Sequence, residues 1–70
     1  MDTLTFKEIR ERIADYAGRK AEFLLERADY SVIRTGEILR TGEGLNFFYF
    51  IIASGGHEYC IHYTRVYKIA

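Results

Sequence analysis

The sequence predicts an α+β domain: one long N-terminal helix packed on a three-stranded antiparallel β-meander. Three observations predict it. Apolar residues recur at helical spacing from Phe6 to Ala28, and β-branched and aromatic residues dominate from Tyr30 onward. Two glycine-bearing stretches, "TGEG" at 41–44 and "SGGH" at 54–57, then divide the second part into strands.

The helix is expected over residues 5–28. Thr5 and Glu8 have the spacing of a capping box, in which each side chain satisfies a backbone N–H of the first turn. Leu4 and Ile9 sit where a hydrophobic staple would hold the entering chain. Phe6, Ile9, Ile13, Tyr16, Ala17, Ala21, Leu24 and Ala28 then follow 3.6 residues per turn without a break in phase. Gly18 falls on the polar side of that projection, and "RKAEFLLERA" after it is rich in helix formers. The alternative reading ends the helix at Gly18, where a glycine can cap it, and starts a first strand near residues 20–27. That alternative gives a short helix followed by four strands.

Within 30–40, "SVIRTGEIL" places Ile33 and Leu39 on one parity and Val32 and Ile38 on the other. A β-bulge at Gly36 would turn members of both pairs to one core. The dipeptide Gly55-Gly56 reads as a two-residue hairpin loop, and its register pairs Ser54 with His57. Ile52, Phe50 and Phe48 then lie opposite Tyr59, Ile61 and Tyr63, on the face assigned to the helix. Lengths agree: about 24 helical residues span about 36 Å, and a strand of about ten spans about 33 Å.

The other face of this hairpin pairs Ile51 with Cys60, Tyr49 with His62, Phe47 with Thr64 and Leu45 with Val66. "LNFFYFII" at 45–52 thus carries large apolar side chains on both faces, where a half-buried strand would alternate. Leaving several of them in water forfeits several kcal/mol at about 25 cal/mol per Å², a large loss for a small core. Leu45, Phe47, Tyr49, Ile51, His62 and Val66 are therefore the expected interface, with a second copy of the chain as the first candidate partner. The last strand offers a second mode. Its "YCIHY" lacks the charges that blunt a sheet edge, so two such edges could pair about a two-fold axis.

Composition narrows the function classes. Seventy residues, 49% hydrophobic and 29% charged, suit one small folded domain. Ten basic and ten acidic residues cancel, so no global field draws nucleic acid or an anionic membrane. A single cysteine forms no internal disulfide framework. The amino-terminal stretch carries charges every few residues and lacks an apolar signal region, and the apolar run 47–53 is too short to span a bilayer as a helix. A cytoplasmic location is the expectation.

No motif carries a strong chemical signature. Cys60 and His62, two apart on a strand, point to one face, but a structural zinc site needs four ligands, which only a site shared between two subunits could supply. Metal binding is thus the weaker reading of that pair, and a Cys–His nucleophile weaker still, since no orienting group or cleft accompanies it. The acids Glu8, Glu11, Asp15, Glu22 and Glu26 read as a solvated helix face. The repeated Thr-Gly-Glu at 35–37 and 41–43 reads as turn chemistry, with no phosphate-loop pattern. The expected function is a non-enzymatic interaction module without a cofactor that self-associates as a homodimer and can bind another protein; size alone associates it with accessory or inhibitor proteins. The second reading is a single-stranded nucleic-acid binder, with Phe47 and Tyr49 as a stacking platform rimmed by Arg34, Arg40, Arg65 and Lys68.

Overall fold

The protein is described by a computed structural model covering residues 6–70. It is an α+β domain with an antiparallel sheet, and its layout is the short-helix alternative with one more strand. The helix α1 spans Phe6–Arg12 and runs into a 3-10 turn, Ile13–Asp15. Five strands follow: β1 Lys20–Glu26, β2 Ser31–Glu43, β3 Phe48–Ser54, β4 His57–His62 and β5 Val66–Ile69. They form one sheet of order β4-β3-β2-β1-β5, antiparallel throughout. Leu4, Thr5 and the Phe6 side chain, on which the expected capping box, staple and first stripe position rest, lie outside the described residues.

The long helix over 5–28 is not formed, and Gly18 is where it fails. Gly18 takes φ 88°, a left-handed conformation that ends a helix at little steric cost. Its N–H then donates to Ile38 O at 2.7 Å, and Ile38 N–H donates to Arg19 O at 2.8 Å, so the chain enters the sheet at once. Beyond it, "KAEFLLE" buries every second residue, namely Ala21, Phe23 and Leu25. The helical stripe would have buried Ala21, Leu24 and Ala28 instead. Swapping an alanine and a leucine for a phenylalanine and a leucine buries more apolar area, and this outweighs helix propensity of a few tenths of a kcal/mol per residue.

Two further expectations shift. The bulge in β2 lies at Leu39, where the β2–β3 register slips between Ile38 and Arg40, whereas Gly36 stays in regular register opposite Ala21. The "TGEG" turn sits later than expected, because β2 runs to Glu43 and the turn closes by Gly44 N–H donating to Phe47 O at 2.8 Å. The "SGGH" hairpin forms as read, with Gly55 and Gly56 at φ 60° and 83° and Ser54 opposite His57.

The sheet is strongly rolled. In a flat sheet β1 and β4, three places apart, would be separated by about 14 Å. Here the Phe23 and Tyr59 rings stand 6.0 Å apart, and the Arg27 guanidinium lies 5.6 Å from the Tyr59 ring. The short 3-10 turn Tyr63–Arg65 carries the chain from β4 at one edge to β5 at the other. The concave side holds the core, with Phe23, Ile38, Phe50, Ile52 and Val66 fully buried. Ile9 and Tyr16, from α1 and the turn after it, close this core, the Tyr16 ring 5.9 Å from Phe50.

Candidate interaction surface

Glycine-Gly hairpin geometry fixes which β3 and β4 side chains share the convex face. Ile51 lies opposite Cys60 and Tyr49 opposite His62, as the sequence implied. Ile51 and Tyr49 are half-buried, and Cys60 and His62 are exposed. Leu45 and Phe47, in and beside the β2–β3 turn, stand 94% and 40% exposed.

The aromatic groups form a chain across this face. Phe47 stacks on His62 with centroids 5.7 Å apart and planes 21° apart, and lies 6.3 Å from Tyr49. His62 is fixed from behind, its Nδ1 2.7 Å from the Thr64 hydroxyl oxygen and 3.3 Å from the Thr64 N–H that donates to it. The glycines of β2 and its turn make room for these rings. A Cβ at Gly42 would run into the Tyr49 ring, and one at Gly44 into the Phe47 ring. An aromatic ring laid over a cross-strand glycine covers backbone that would otherwise be bare.

Val66 does not belong to this surface. It is fully buried and lies opposite Phe23, because the chain leaves the β3 ladder at Tyr63 and joins β1 instead. The expected pairs Leu45–Val66 and Phe47–Thr64 are therefore absent, and Phe48 meets Tyr63 edge-on at 6.4 Å rather than as a ladder pair. The 3-10 turn that causes this carries no Gly or Pro, so nothing in the sequence marked it.

The basic residues are dispersed. Arg40, opposite Ile51 on the convex face, is 3.7 Å from Glu58. Arg65 pairs with Glu26, and Lys68 lies opposite Glu22 on β1. Arg34 is opposite Phe23 and reaches toward the Gly55 turn. Sequence reasoning missed a second set of exposed apolar groups, Tyr30, Val32, Ile33 and Leu39. The adjacent Val32-Ile33, apolar on both parities, was the available signal.

A groove of about 450 Å³ runs along the seam where the rolled sheet does not close. Leu24–Glu26 of β1 and the following Arg27 line one wall and Glu58–His62 of β4 the other, with Arg65 at its end. β5 pairs with β1 only from Ala21 to Phe23, so it stops short of this stretch. Among the described residues no group of three or more His, Cys, Asp or Glu is placed to hold a metal. No known family matches the chain, and neither the curated proteins nor the solved structures include a match.

Proposed function

We propose that this chain is a non-enzymatic interaction module that associates first with a second copy of itself and, as a dimer, with another protein. The observation that carries the reading is the Leu45–Phe47–Tyr49–Ile51 set on the convex face, extended by the stacked His62. Leu45 is 94% exposed at the end of it, and a small domain gains little stability from apolar groups left in water. Zero formal net charge removes the long-range repulsion that would keep two copies apart.

Nucleic-acid binding is less well supported. Arg40 and Arg65 are ion-paired within the chain, and Arg34 and Lys68 lie on other parts of the sheet than the Phe47–Tyr49 pair.

Light scattering on the eluting protein tests the reading. The wild type should elute at twice the chain mass at micromolar concentration. A monomer at every concentration would overturn the reading.

A further inference from the structure

The backbone of β4 gives self-association a definite geometry. In a hairpin closed at Ser54–His57, bonded and non-bonded pairs alternate along the ladder. Ile52–Tyr59 and Phe50–Ile61 are then the bonded pairs, and Glu58, Cys60 and His62 turn their N–H and C=O groups away from β3. These three residues line the seam groove, opposite Leu24–Arg27, so the edge of β4 over 58–62 faces this groove and no strand of its own chain pairs with it.

We propose that β4 is the pairing edge between two copies of this chain, antiparallel about a two-fold axis at Cys60; the proposal rests on the self-association reading above. In this register Glu58 lies opposite the partner's His62, Cys60 opposite the partner's Cys60, and Tyr59 opposite the partner's Ile61. Every outward-facing N–H of Glu58, Cys60 and His62 meets an outward-facing carbonyl.

The occupant is set by the self-complementarity of "EYCIH" (58–62). On the convex side a carboxylate meets an imidazole, whose Nδ1 is held by Thr64, leaving the far ring nitrogen for the contact. On the concave side an aromatic ring meets a β-branched chain, a favourable cross-strand pair. An axis at Tyr59 would set His57 against the partner's Ile61 and leave His62 beyond the partner's strand. An axis at Ile61 would push Glu58 against the partner's Thr64, in the 3-10 turn. Only the axis at Cys60 uses the whole of 58–62 in both copies. It also brings the two Phe47–His62 stacks to one continuous convex surface, which enlarges the apolar area offered to a further protein.

The arms that reach across the seam are side chains, which swing aside when a partner strand pairs with this edge. Glu26 and Arg27 are exposed, and they contact Arg65 and the Tyr59 ring through side-chain ends. The β4 edge itself carries one charge, Glu58, among Glu58–His62, so it lacks the repulsive charges that protect most edges.

Cysteine cross-linking tests the register. Directly opposed residues in a bonded antiparallel pair have Cα atoms about 5.5 Å apart, within reach of a disulfide. Mild copper-phenanthroline oxidation should join wild-type chains through Cys60 much faster in the folded state than in urea. Glu58→Cys/Cys60→Ser should cross-link with His62→Cys/Cys60→Ser when the two are mixed, and neither should cross-link with itself, because like positions would lie about 13 Å apart. These positions are exposed, so the variants keep the fold. If light scattering reports a dimer but the mixed pair fails to cross-link, or cross-links no better than either variant alone, the register is wrong while self-association stands. If the protein is monomeric and cross-links no faster than in urea, both fall.

Discussion

Tyr16 is the residue on which burial acts most visibly. Tyr16 is 6% exposed, its ring against Phe50, and burial pushes its pKa above the ordinary 10.0, with Glu8 and Asp15 adding to the rise and Arg12 and Arg19 opposing it. A pKa raised in the folded state stabilises the fold below the ordinary value and loses that contribution as pH climbs through the raised one. The wild type should therefore lose more stability than Tyr16→Phe above about pH 10 in urea titrations; parallel losses would contradict the burial argument. Phe50, fully buried beside it, should cost about 3–5 kcal/mol on truncation to Ala, which is most of the stability of a domain this small. Leu45→Ala, at the exposed turn, should change monomer stability by less than about 0.5 kcal/mol. Several of these residue roles could be read in advance. The Gly55-Gly56 loop fixed the β3–β4 register, and parity then sorted Phe48, Phe50 and Ile52 to the core and Tyr49 and Ile51 to the convex face.

At the scale of elements, the start of β1 was the least legible. Ala21 satisfies both a period of 3.6 and a period of 2, and Leu24 fits the helical stripe while Phe23 and Leu25 fit the strand. Local pattern cannot choose between them; the choice is made by what the sheet can bury. Gly18 is the hinge of that choice, and its left-handed φ of 88° predicts a cost for a side chain there even though a Cβ meets no neighbour within 4 Å. Gly18→Ala should lower stability by about 1 kcal/mol; no change on thermal melting would mean that the backbone relaxes freely. Gly42 is constrained differently, by the Tyr49 ring laid over it. Gly42→Ala should destabilise by about 1–3 kcal/mol through overpacking, and Tyr49→Ala in the same chain should recover part of that loss. An additive double variant would contradict the ring-over-glycine contact. The break at Tyr63–Arg65 had no sequence marker, and this is why Val66 was assigned to the surface and not to the core.

The whole molecule is an open roll whose two sides have different tasks. The concave side encloses the core and is capped by α1 and the turn after it. The convex side and the β4 edge are the parts to which the proposal assigns association. The rolling itself was illegible, because it depends on β1 meeting β4 through Phe23 and Tyr59, residues 36 apart in the chain by their numbers. The apolar surplus of 45–52 was legible, and in the proposed dimer it forms the surface offered to a further protein. Hydrogen exchange along β4 tests this most directly. Tyr59 and Ile61 amides, bonded to β3, should be protected at every protein concentration. The amides of Glu58, Cys60 and His62 should gain protection as concentration rises through the dimer range. Fast exchange of those three amides in a sample that scatters as a dimer would contradict the edge-paired assembly.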